Sequence, residues 1–200
     1  MEIKCSYTLQ PFTKDLIGSK LSSIAFKKGT VFFEDDIFTF SGIFDFLISF
    51  HDGNLPKPIT YQVSPKGMES LGGDIFGFEL TEYLDGRYDL GGFNVSHMFN
   101  DLQNEVKAIT GYGEIETKLI DDKDLLTLWY ERSDYIPDSL TVNKSTLDLI
   151  AIEFMQGKTM FIRAGGEGYY VVFFDTRYTP DEFIEKNFND KELKIITKID

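Results

Sequence analysis

The sequence predicts an α+β fold, a single domain built on a mainly antiparallel β-sheet with about three helices. Strand-like runs come in neighbouring pairs joined by short turns, where a doubly wound fold would alternate strand with helix. Only three stretches carry strong helix signals. At 200 residues, 42% of them apolar and including 19 Phe, 10 Tyr and one Trp, the chain can bury one core of ordinary size without disulfide or metal staples. Residues 1–200 are therefore expected to form one unit; no internal repeat, low-complexity segment or interdomain linker interrupts them.

From the start, Ile3, Cys5, Tyr7 and Leu9 alternate with Glu2, Lys4, Ser6 and Thr8, the period of a half-buried strand. Ile24 to Phe33 reads as a hairpin turning at Lys28-Gly29. Ile37 to Phe50 carries both periods and is read as strand first, helix after Ser41. Pro56, Pro58 and Pro65 bracket a short strand from Ile59 to Val63. A further hairpin is expected from Ile75 to Tyr83 and from Arg87 to Phe93, turning at Asp85-Gly86.

The first helix is predicted over His97 to Thr110, with Ser96 as N-cap, Met98, Phe99, Leu102, Val106 and Ile109 on one stripe, and Gly111 closing it. Glu114 to Ile120 and Leu125 to Glu131 read as two strands joined across Asp121-Asp122-Lys123-Asp124. The second helix starts at Ser145-Thr146-Leu147-Asp148, repeats Leu147, Ile150, Ala151 and Phe154, and stops at Gly157. A hairpin follows from Thr159 to Arg163 and Tyr169 to Asp175. Thr179-Pro180-Asp181-Glu182 opens the third helix, and Leu193 to Ile199 alternates as the last strand.

Charge is distributed unevenly over this framework. The chain carries 33 Asp and Glu against 20 Lys and Arg, a net charge of −13. Residues 1–68 hold seven acids and seven bases, residues 69–140 sixteen and five, and residues 141–200 ten and eight. The excess thus sits in the middle segment, a bias beyond what solubility requires. There Glu79, Glu82, Asp85, Asp89, Glu114, Glu116, Asp121, Asp122, Asp124 and Asp134 are interleaved with aromatics including Tyr130 and Tyr135. Tyr and Trp serve as binding anchors, and an acidic field speeds association with a basic partner. The plainer alternative makes the aromatics core residues and the acids their solvated neighbours.

Net negative charge opposes contact with nucleic acid or anionic membrane, since both rely on clustered Lys and Arg. No uncharged apolar run approaches membrane-spanning length; Ile37 to Phe50 is broken by Ser41, Gly42 and Asp45. The lone Cys5 has no intramolecular partner, and the start MEIKCSYTLQ lacks a secretory apolar region, so a cytoplasmic location is expected.

Motifs for catalysis are sparse. Gly165 to Gly168 has neither phosphate-loop spacing nor a following helix, so it reads as a turn. The runs Glu34-Asp35-Asp36 and Asp121 to Asp124 lack the Gly and Glu positions of a calcium loop, and one Cys with two distant His (His51, His97) makes no zinc site. No nucleophile elbow is present. No cofactor or metal is expected, and no catalytic residue is singled out. The reading that follows is an acidic protein-binding protein, in its concrete form an immunity or inhibitor protein that neutralises a basic toxin such as a nuclease. A carboxylate-dependent hydrolase and a structural or assembly component are the alternatives.

Overall fold

The computed structural model describes residues 2–6, 12–34, 37–51, 58–68, 75–83, 93–94, 105–130, 136–166, 169–188 and 192–200. Among them the chain forms strands β1 (Glu2–Ser6), β2 (Lys20–Glu34), β3 (Ile37–His51), β4 (Ile59–Met68), β5 (Ile75–Glu82), β6 (Phe93–Asn94), β7 (Val106–Gly113) and β8 (Ile115–Ile120). Helix α1 (Lys123–Trp129) precedes β9 (Leu140–Ser145), β10 (Leu149–Phe154), β11 (Thr159–Gly166) and β12 (Tyr169–Thr176). Helix α2 (Pro180–Asn187) and β13 (Lys194–Ile199) complete the chain. The protein is mostly antiparallel sheet with few helices.

Ten strands form one sheet in the order β13-β7-β10-β11-β12-β3-β2-β6, from which β4 and β5 branch at β3. The sheet curls until β2 and β7, each one strand in from an end of that order, meet. Gly18 N–H donates to the Val106 carbonyl at 2.9 Å and Val106 N–H to the Ser19 carbonyl at 2.8 Å, while Lys20 bridges to Glu105. These bonds join the start of β2 to the start of β7 and close a ring β2-β3-β12-β11-β10-β7, with β13, β6 and the β4–β5 pair outside it.

Alternation along each strand sends one set of side chains inside the ring and the other out. Ile150, Ile152 and Phe154 of β10 join Phe26, Phe40, Phe46, Met160, Ile162, Tyr170 and Val172 in the main core. Phe26 stacks on Phe40 with centroids 3.7 Å apart, and Phe46 meets Tyr170 at 4.3 Å. Leu149 and Ala151, pointing the other way, lie with Phe161 beneath α2, whose Phe183 stacks on Phe161 at 3.9 Å. Thr179 caps that helix in a complete capping box with Glu182, as the sequence predicts.

Two predicted helices are strands. Residues 105–110, the last part of the expected 97–110 helix, form the Glu105 bridge and most of β7, which runs on to Gly113; the earlier part lies outside the described residues. The expected helix from Ser145 is the end of β9 followed by β10. Both strands are covered on both faces, so their apolar residues run on without a period of two and match a helical repeat by accident. Conversely, Leu125 to Glu131 was expected as a strand, yet Lys123 to Trp129 is helical: Asp122 Oδ1 accepts from the Asp124 and Leu125 amides at 3.0 and 3.1 Å, and Leu favours helix over strand. The described residues thus hold two α-helices, where about three were expected.

The hairpin expected at Lys28-Gly29 is instead one continuous strand, β2, and those residues mark a register shift between Phe26 and Lys28. No helix follows Ser41, because β3 runs unbroken to His51. β4 extends past Val63 through Pro65; its pairing with β3 ends at Val63, so a proline without N–H costs no ladder bond on that side. Phe93 pairs with Phe26 of β2, and not with β5; Asp85-Gly86 and Arg87 to Leu90 lie outside the described residues.

Candidate functional site

Part of the acidic middle of the chain, residues 115–130, belongs to the second, smaller sheet and the helix beside it. β1 pairs in parallel with β9, and β9 in antiparallel with β8, giving the order β1-β9-β8. β8 continues directly from β7, and β9 runs directly into β10. One two-stranded ribbon therefore serves both sheets, paired as β7 with β10 at one end and β8 with β9 at the other.

The ribbon bends where it changes sheet. Tyr112 pairs with Leu149 and Ile115 with Ser145, so residues 113–114 on one strand face residues 146–148 on the other, a bulge of one residue. Thr146 N–H donates to the Glu114 carbonyl at 3.1 Å and Asp148 N–H to the Tyr112 carbonyl at 2.8 Å. The Glu114 amide donates to Thr146 Oγ1 at 3.1 Å and to Asp148 Oδ2 at 3.2 Å, and the Thr146 hydroxyl donates to the same Asp148 oxygen. Thr146 and Asp148 are both buried. The Ser-Thr-Leu-Asp run that resembles a helix cap in sequence thus supplies the side-chain bonds of a bulge, a use of short polar side chains that competes with helix. Gly113 sits where a Cβ would strike the Thr146 carbonyl oxygen.

Beyond the bend the ribbon has much less cover. Ile120, Leu126, Leu140 and Val142 form a small core, with Leu125 and Tyr130 packed against it, so α1 covers one face of the sheet at the Ile120 end. Ile115, Glu116, Thr117, Lys118 and Leu119 are all exposed, Ile115 at 53% and Leu119 at 62%. β8 is the last strand of its sheet, and among the described residues no strand pairs with its outer edge. Its two side-chain sets differ: Glu116 and Lys118 point to the face of Ile120 and α1, and Ile115, Thr117 and Leu119 to the opposite one. Thr117 Oγ1 donates to Asn143 Oδ1 at 2.8 Å on that second face.

The sequence-predicted residues separate into groups. Glu116, Asp121 and Asp124 are exposed on β8 and at the start of α1. Asp122 is exposed too, but its carboxylate caps α1. Glu114 is only 20% exposed and ion-pairs with Lys144, so its charge is spent inside the sheet. Tyr130 is half-buried at the C-terminus of α1, where its N–H donates to the Leu126 carbonyl at 3.0 Å.

Glu79 and Glu82 lie on β5 in the larger sheet. Glu79 is 3.7 Å from the Lys66 ammonium. Glu82 is close enough to Tyr61 to help raise the phenol's pKa, a rise due first to burial and opposed by the bonds to Thr13. Asp85, Asp89, Asp134 and Tyr135 lie outside the described residues. Ile115, Thr117 and Leu119 alternate with a period of two, a signal that implies a buried face, yet all three are exposed.

His51 is exposed at the end of β3, and His97 lies outside the described residues. Among the described residues, no three or more His, Cys, Asp or Glu side chains are grouped closely enough to hold a metal ion. Among the described residues, no helix is long and apolar enough to cross a membrane. No family model matches the chain, and neither a curated protein nor a solved structure matches it.

Proposed function

We propose that this protein binds a basic protein partner through the acidic surface of β8 and the start of α1, and that it acts as an immunity or inhibitor protein against a cationic toxin such as a nuclease. One observation carries the reading: Glu116, Asp121 and Asp124 are exposed beside an uncovered strand, within the segment that holds almost all of the chain's excess charge. Such a field steers a basic partner before contact, and carboxylates then pair with its Lys and Arg. Occupying the nucleic-acid site of a nuclease with carboxylates blocks it by the same chemistry that phosphates use.

The test compares two variants of equal charge change by capture from the native lysate on immobilised protein. Lys at 116, 121 and 124 should abolish retention of basic proteins that elute at raised salt. Lys at the exposed positions Asp181, Glu185 and Glu192, in and after α2, should leave retention nearly unchanged. Equal losses in the two variants would assign the effect to net charge alone and defeat the proposal.

A further inference from the structure

We infer that the outer edge of β8 is a strand-addition site, which takes an extended basic segment of the partner as a further strand of the sheet β1-β9-β8; this rests on the basic-partner reading above. The bond from Thr146 N–H to the Glu114 carbonyl fixes which main-chain groups face inward. Alternation along an antiparallel pair then turns those of Glu116 and Lys118 towards β9 and those of Ile115, Thr117 and Leu119 outward. The edge offers donors and acceptors at every second residue, the spacing that an added strand requires.

Side chains on this edge specify the occupant. Ile115 and Leu119 stand exposed on one face and would be covered by apolar residues at alternate positions of the incoming strand. On the other face stands Glu116, with Asp121, Asp122 and Asp124 beyond the end of the strand against Lys118 and Lys123, so the intervening positions should carry Lys or Arg. The occupant is thus an alternating basic and apolar segment. One outer strand of the larger sheet, β13, makes the contrast: it carries Lys194 and Lys198, the latter paired with Asp200, and no carboxylate within the strand to attract a basic segment.

The probe is a synthetic peptide of four Lys-Val repeats, titrated into the full chain while amide exchange is followed by NMR. Binding should slow exchange at the Ile115, Thr117 and Leu119 amides. Thr117→Pro removes an outward N–H without altering charge and should weaken binding about tenfold. Should that variant fail to fold, the same peptide N-methylated at alternate residues leaves the protein untouched and should bind about tenfold more weakly.

Equal binding of the methylated and plain peptides, or protection confined to other amides, would overturn strand addition while the basic-partner reading stands. No peptide binding at millimolar concentration would overturn it too, with lysate capture still deciding the partner. Protection of these amides that grows with protein concentration in the absence of peptide would replace the partner strand with a second copy of the chain.

Discussion

The ribbon formed by β7–β8 and β9–β10 meets two different environments along its length. At the β7–β10 end both faces are covered, by the interior of the closed ring on one side and by α2 and its neighbours on the other. Across the bend, β8 and β9 share a core of four buried side chains, and five consecutive residues of β8 are exposed. Burial is the main favourable term in folding, so stability is concentrated in the ring, and the ribbon carries it outward to a strand that burial does not hold. Among the described residues that division leaves the outer edge of β8 without a strand partner, so a strand added there, as proposed, would not ask the core to yield.

The largest test of this contrast is truncation on the two sides of the bend. Phe46→Ala removes a fully buried ring that packs on Phe26, Phe78 and Tyr170, and should cost about 3–5 kcal/mol in urea unfolding. Leu126→Ala, in the small core, should cost towards the low end of about 2–5 kcal/mol. Its increase in amide exchange should be confined to β8, β9 and α1. Faster exchange of β10 amides in Leu126→Ala, at rates matching those of β8, would show that the two sheets unfold as one and erase the distinction.

Next in size is the bend itself. Gly113→Ala would press a methyl group into the Thr146 carbonyl, a backbone atom that cannot rotate aside, and should cost about 1–3 kcal/mol. Asp148→Ala leaves the Glu114 amide without one of its two acceptors and removes the acceptor of the Thr146 hydroxyl, a loss of about 1–3 kcal/mol. Both variants should unfold at lower urea than the wild type; an unchanged midpoint for both would mean that the bend is not held by these contacts.

The same ribbon explains what was legible in the sequence. The hairpin β11–β12, helix α2 with its capping box, and β13 each show their period and end signals locally, and each stands close to its expected place. β7 and β10 do not, because a strand covered on both faces loses the alternation that identifies it; only the partners that cover it, distant in sequence, decide its state. Glu114 and Glu116 sit two residues apart and look equivalent in the sequence. The register across β9 sets Lys144 directly opposite Glu116, yet its ammonium pairs diagonally with Glu114, and Glu116 stays exposed. The concentration of acid in residues 69–140 was visible at once, but its division between β5 and β8–α1 depends on the sheets.

The smallest effect belongs to α2, the outer cover of the ring, and it reports whether that cover can be loosened while the core beneath stays intact. Glu182 accepts from the Thr179 amide at 2.8 Å and from the Thr179 hydroxyl at 2.9 Å, and these bonds hold its carboxyl below the ordinary range. A folded pKa below the unfolded one means that the bonds stabilise α2 at pH above about 4.3 and are lost as pH falls through the lowered folded value. The Thr179 amide resonance should therefore shift at lower pH in the native protein than the Glu182 side chain titrates in the urea-unfolded chain. Thr179→Ala removes the hydroxyl bond and keeps the amide one, so it should shrink that displacement without abolishing it and cost about 1 kcal/mol, while amide exchange in β10 and β11 remains slow. If β10 exchange rises together with that of α2, the helix and the ring beneath it form one cooperative unit, and the covered end of the ribbon owes its stability to α2 as much as to the interior.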